Sequence, residues 1–225
     1  MRQNDNAARV ITIAQQKGGA GKTTLVVHLA IAMAQRGLKI ALIDIDPQGS
    51  LGHWHKIREK RMGEGYTGLH FSTISGWRVG TEVSKLRRAY DVIIIDSPPH
   101  VETEARSAIR AADLVIIPVQ PSPTDLWATQ ATINFALSEK IPVRTVMNRV
   151  NPASKLLATI KAELPELANS SLGNRVTFAS SLLEGKGVTE IEPRSAASLE
   201  IKALTEEIIA LFSKDMIDDS RNLVG

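Results

Sequence analysis

The chain has no cysteine in its 225 residues. That excludes disulfides, cysteine-held iron–sulfur clusters and thiolate zinc sites, and it is compatible with a reducing cytoplasm. Aromatic residues are scarce, at 4% against 43% hydrophobic residues overall, so the core must be aliphatic, as buried parallel strands require. Long apolar runs are missing too. The longest, such as Leu29 to Ala34 and Leu114 to Val119, fall far short of the roughly 18 residues of a membrane span. The first nine residues are polar and contain no apolar signal core. No internal repeat or low-complexity segment is visible. Neither sign of charge dominates, since 27 basic and 24 acidic residues leave a net charge of +3. Such mild basicity is compatible with weak nucleic-acid contact without diagnosing it. A soluble cytoplasmic protein without membrane insertion is expected. It should have one domain over residues 9–214, a flexible lead over 1–8 and a tail over 215–225.

Strand-like and helix-like segments alternate along the chain. Apolar runs read as strands at Val10 to Ala14, Lys39 to Ile45, His70 to Ile74, Asp91 to Asp96, Leu114 to Val119 and Val143 to Arg149, with a last short one at Arg175 to Ala179. Helices are expected over Leu25 to Gln35, Leu51 to Met62, Glu82 to Tyr90, Asp125 to Ser138 (with Thr124 as its cap) and Ser154 to Leu164. Ile201, Leu204, Ile208, Leu211 and Phe212 recur at helical spacing in a terminal helix. This alternation predicts an α/β fold: a doubly wound, mostly parallel sheet with helices on both faces and right-handed crossovers.

The stretch Gln16-Lys17-Gly18-Gly19-Ala20-Gly21-Lys22-Thr23-Thr24 stands between the first strand and the first helix. Glycines there let backbone N–H groups turn toward an anion, and the helix dipole favours negative charge at that end. Lys22 is placed to reach the β and γ phosphates of ATP, and the Thr23 hydroxyl to bind Mg²⁺. Gln16 occupies the first glycine position of the usual phosphate loop, and Lys17 is an added lysine beside it. Asp46, in Asp46-Pro47-Gln48-Gly49, ends the second strand on the ligand-binding side of such a sheet. There it can orient water and help hold Mg²⁺. Asp96, followed by Ser97-Pro98-Pro99, ends an apolar strand in the manner of a metal-shell carboxylate. Helix 51–62 mixes Trp54 with Lys56, Arg58, Lys60 and Arg61, a pattern that more commonly marks a solvated face than nucleic-acid contact. His53 and His55 lack a second cluster at metal-ligand spacing.

The loop, the D-P-Q-G segment, the D-x-P-P segment and the Asn148-Arg149 pair together resemble the ParA/MinD group of P-loop ATPases with a deviant phosphate loop. More closely they resemble the ParA partition ATPases of the short type, because residue 16 leaves no room for a preceding helix-turn-helix domain. The resemblance runs from about residue 9 to 213. It implies that Lys17 reaches across an ATP-dependent homodimer to the partner's phosphates, that Lys17 and Asp46 are catalytic, and that Asn148 reads adenine. ATP contacts then fall on residues 17–24 and Asn148, and Mg²⁺ contacts on Thr23, Asp46 and Asp96. It further implies non-specific DNA binding through basic residues of the last third, with Lys155, Lys161, Arg175, Lys186, Arg194 and Lys202 as candidates. Hydrolysis would be stimulated by a ParB-like adaptor, and the protein would be nucleoid-associated. A MinD-like membrane ATPase is the alternative, but the acidic tail, with Asp218 and Asp219, does not suit a basic amphipathic anchor. A dethiobiotin-type synthetase would lack Lys17, a bacterial tyrosine kinase would need a tyrosine-rich tail, and a binding module without hydrolysis would require Asp46 to have another role.

Overall fold

The computed structural model describes residues 7–63, 65–99 and 103–222, with side chains to residue 212. Among these residues six parallel strands form one sheet in the order β3-β2-β4-β1-β5-β6. They are β1 (Arg9–Ile13), β2 (Ile40–Asp44), β3 (His70–Thr73), β4 (Val92–Asp96), β5 (Leu114–Val119) and β6 (Val143–Met147). β1, β2, β4 and β5 are near-continuous runs of Val, Ile and Leu because both their faces are covered.

The side-chain period of two sorts each strand between two cores. Ile11, Ile13, Leu42 and Ile94 pack beneath α1 (Lys22–Ala34) and α9 (Ala196–Asn222). Val10, Ile43, Ile93 and Ile95 face the opposite way, toward Val79 and Val83 of α3 (Val79–Leu86) and Ala108 of α4 (Thr103–Ala111). A third cluster joins β5 and β6 to α5 (Pro123–Ser138) and α6 (Leu156–Glu163). Each fully buried Ile or Leu of these layers contributes roughly 2 kcal/mol. The remaining helices, α2 (Ser50–Met62), α7 (Val176–Leu183) and α8 (Val188–Ile191), pack at the α1 side.

Several expectations need correction. The segment Arg175 to Ala179 is not a strand: Arg175 is the extended N-cap of α7. Residues 166–174 have already taken the open edge of β6, through Thr145 N to Glu166 O, Leu172 N to Met147 O and Val150 N to Leu172 O. The following residues therefore coil and bury Phe178 instead. The cap of α5 is Ser122, whose hydroxyl accepts from Asp125 N at 3.2 Å, rather than Thr124; Pro123 opens the helix. α3 starts three residues earlier than expected, after a tight turn at Gly76–Arg78 where a Cβ would stand 2.6 Å from Glu104 Cα. α4 itself had no forecast. Residues 1–6 of the expected lead lie outside the described residues, but Ala8 is buried and bonded to Arg87 O. α9 continues to Asn222, past the point where the tail was expected to begin.

Candidate functional site

All of the loops that follow β1, β2, β4, β5 and β6 gather at the carboxyl ends of the strands, where open α/β sheets bind ligands. After β1, residues 18–21 make the tight turn into α1. Gly19 (φ 76°) and Gly21 (φ 94°) hold left-handed conformations that a side chain would strain. Gly21 is the N-cap of α1 and has no side chain to satisfy the helix N–H groups, so those donors are left for an anion. Gly18, Gly19, Gly21, Lys22, Thr23 and Thr24 line a cleft of about 760 Å³ together with Asp46. Ala20 is buried beneath the turn.

Lys22 is buried and donates to Gln15 O at 3.2 Å. Burial lowers its pKa, opposed by the charges of Asp96 and Asp46. The Thr23 hydroxyl donates to Asp96 Oδ2 at 2.7 Å. Asp96 is buried, its Oδ1 has no hydrogen-bond partner among the described residues, and its pKa is pushed up to about 7, chiefly by burial and secondarily by Asp44. A buried, orphaned carboxylate oxygen beside a threonine hydroxyl is what a hydrated Mg²⁺ needs on its protein side. No cluster of three or more His, Asp or Glu side chains able to hold a metal converges among the described residues, so phosphate and water oxygens would complete the shell.

Asp46 accepts from Gln48 N at 3.0 Å, which closes its own turn. The turn is held from beneath by Asp44, a residue that received no role from the sequence. Its two carboxylate oxygens accept from Asp46 N (3.0 Å) and Gly52 N (3.1 Å), tying the loop after β2 to the start of α2. The Asp44-Ile45-Asp46 doublet was the available signal.

Lys17 does not line the cleft. It donates instead to the Asp125 carboxylate and, at 3.1 Å, to Thr124 Oγ1 on α5. Asp125 is fully buried; Ser122 Oγ donates to it at 2.6 Å, and its Oδ1 is unpartnered among the described residues. Its first-turn Ser-x-x-Asp spacing was visible in the sequence, but its tie to Lys17, 108 residues away, was not.

Asn148 follows β6 and lines a second cleft of about 280 Å³ that adjoins the first at Gly21 and Thr24. Leu25 and His28 of α1, Arg149, residues 172–176, Phe178 and Ala179 also line it. The Asn148 amide donates to Ala20 O at 2.8 Å and accepts from Arg149 N at 2.9 Å. His28 is buried, with its pKa lowered to about 4 by burial. One ring nitrogen lies 3.1 Å from Phe178 O, and the other accepts from Val188 N at 3.1 Å.

The basic residues of the last third are spread over several helices and the loops between them. Lys155 is the N-cap of α6 and Lys161 lies within it, Arg175 caps α7, Lys186 lies between α7 and α8, Arg194 follows α8 and Lys202 is on α9. Arg175 is held by Glu200 at 2.6 Å, and Lys202 donates to Pro193 O at 2.9 Å; Lys155 and Arg194 are exposed.

Residues 11–208 match the family described as the CobQ/CobB/MinD/ParA nucleotide binding domain. The chain belongs to this family. Among its relatives is the maintenance of carboxysome distribution protein A of Halothiobacillus neapolitanus, 28% identical over 218 residues, covering 91% of this chain and 98% of that one. The ParA protein of Rhizobium radiobacter is 31% identical over 169 residues, covering 70% and 72%. The fold is that of the solved septum site-determining protein MinD of Pyrococcus horikoshii complexed with Mg-ADP, at a TM-score of 0.77 and 20% identity over 89% of this chain and 96% of that one. The two adjoining clefts are therefore the candidate nucleotide site of a chain in this family. Among the described residues no helix is long and apolar enough to cross a membrane.

Proposed function

We propose that the chain is a ParA-like ATPase that positions or segregates a cargo by switching between nucleotide states, with ATP and Mg²⁺ as its ligands. The observation that carries this reading is the divergence of the two loop lysines. Lys22 turns inward and serves the phosphates of its own subunit, while Lys17 is turned out toward α5. A second loop lysine that faces away from its own cleft is suited to the phosphates of a second copy of the chain.

In the cycle we infer, ATP enters with its base beside Asn148 and its phosphates over residues 18–24. Mg²⁺, held through Thr23 and Asp96, would neutralise charge on the phosphates. Two copies then close over the nucleotides, and Lys17 of each leaves Asp125 for the phosphates of the other. Asp46 orients the attacking water, and Asp44 fixes the loop that presents it. Hydrolysis is slow alone and is completed by a ParB-like adaptor. The ATP-bound dimer holds non-specific DNA through basic residues of the last third, keeping the protein on the nucleoid. Among these, Arg175 is the weakest candidate because Glu200 already neutralises it.

Binding to non-specific duplex DNA with ATP, ADP or no nucleotide, at two salt concentrations, tests this function. Binding that needs ATP and weakens steeply with salt is expected. Absence of DNA binding in every state would refute the nucleoid-tethered cycle and turn the search to a lipid or protein surface.

A further inference from the structure

The turn Gly185-Lys186-Gly187, between α7 and α8, is wedged between the two helices that carry the nucleotide loops. Gly185 has φ 64°, and a Cβ there would stand 2.5 Å from the Arg58 backbone nitrogen of α2. A Cβ on Gly187 would stand 2.8 Å from Ile31 Cβ of α1. The turn thus touches both helices closely, and Lys186 is the one side chain it carries.

Polar contacts lock it further onto α2. Trp54 Nε1 donates to Lys186 O at 3.4 Å. The buried Arg58 guanidinium donates to Gly185 O at 3.0 Å, to Thr67 O at 2.7 Å and to both Glu190 oxygens at 2.9 Å. Glu190 in turn accepts from Gly187 N at 2.8 Å. Replacing a buried ion pair by an apolar pair of the same volume is often neutral for stability. Stability alone therefore does not account for a guanidinium that holds the carbonyl before Lys186 and the carboxylate that holds the amide after it.

α2 begins at the Asp46 loop, to which Asp44 ties it through Gly52. Ser50, His53, Trp54 and Ile57 of α2 and Leu182 and Leu183 of α7 line the phosphate cleft together. A ligand that fills the cleft and rearranges the Asp46 loop therefore acts on α2 directly.

We propose that Arg58 and Glu190 are positioning residues that make the Gly185–Gly187 turn follow α2, so that occupancy of the phosphate cleft sets how Lys186 is presented to a polyanion. This regulation rests on the DNA-tethered reading above, so its test must separate the two. The chain has no cysteine, and Lys186→Cys offers a single site for an environment-sensitive fluorophore. In this background the label should report ATP analogue against ADP, and either Glu190→Gln or Arg58→Lys should remove the response. Nucleotide affinity and dimerisation should persist in both variants. With Lys186 restored, the same two substitutions should cut the ATP-to-ADP ratio of DNA affinities roughly tenfold. A label that does not respond in the parent, or that responds equally in both variants, overturns the proposal. Loss of nucleotide binding or of the folded state in both variants also overturns it, since the pair would then be only structural. If the protein binds no DNA in any state, the DNA reading fails and the label alone decides the coupling.

Discussion

Replacing Asp125 by asparagine should tighten the ATP-bound dimer. In the single chain Lys17 is held by the Asp125 carboxylate, which is buried and whose second oxygen has no partner among the described residues. For Lys17 to act on another subunit it must abandon that carboxylate, leaving it with the Ser122 hydroxyl alone. Removing the cation from a fully buried pair costs several kcal/mol. The Lys17 side chain is 38% exposed, so water screens the pair. Discounting for that screening gives about 1 kcal/mol per subunit. A two-fold dimer breaks two such pairs, about 2 kcal/mol, which corresponds to roughly a thirtyfold change in dissociation constant. Asparagine has the same shape and keeps an acceptor for Ser122, while the missing charge removes most of the hold on Lys17. The monomer should lose up to about 1 kcal/mol from the weakened first turn of α5. Sedimentation velocity across a concentration series, with a non-hydrolysable ATP analogue, reads the dimer directly. An unchanged or weaker dimer in Asp125→Asn, with the variant folded, would refute the idea that this contact opposes closure.

Three further outcomes are expected. Asp44→Ala frees the Asp46 loop and the start of α2, so kcat should fall about a hundredfold with little change in nucleotide affinity, as steady-state and binding measurements would separate. His28 has a folded pKa of about 4, below its ordinary 6.5. The unfolded chain therefore binds the extra proton first, and stability attributable to this group is present above pH 6.5 and lost as pH falls toward 4. The loss amounts to about 3 kcal/mol and should be visible as a drop in urea midpoint that His28→Gln flattens. Gly187→Ala should destabilise the fold by about 1–3 kcal/mol in thermal unfolding, because its Cβ collides with Ile31 of α1.

The sheet was legible because its strands are short aliphatic runs separated by helical segments, and six of the seven expected strands exist. The seventh failed at Arg175, where local β-propensity in Val176 to Phe178 was overridden by an edge that residues 166–174 had already filled. The turn between β1 and α1 was legible because its signal is local: glycines, a lysine and a threonine within a few residues. Asp46 and Asp96 could be set at the same end of the sheet because one follows β2 and the other ends β4. The ties of Lys17 to Asp125, of Arg58 to Glu190 and of His28 to Val188 span 108, 132 and 160 residues. No spacing rule reaches across such separations. They exist because α5, α7 and α8 are folded back against the loops at one end of the sheet.

The most direct test of the central claim mixes two inactive variants. Lys17→Ala removes the lysine proposed to act on the partner, and Asp46→Ala removes the group that orients water. In a mixed dimer, the nucleotide site of the Lys17→Ala subunit keeps its own Asp46 and receives Lys17 from its partner, so it is complete. Half of the dimers are mixed, and one of the two sites in each is intact, so ATP hydrolysis should return to about a quarter of the wild-type rate. If Lys17 served its own subunit, every site in the mixture would lack one group. Hydrolysis no faster than either variant alone would contradict the proposed exchange of Lys17 between subunits.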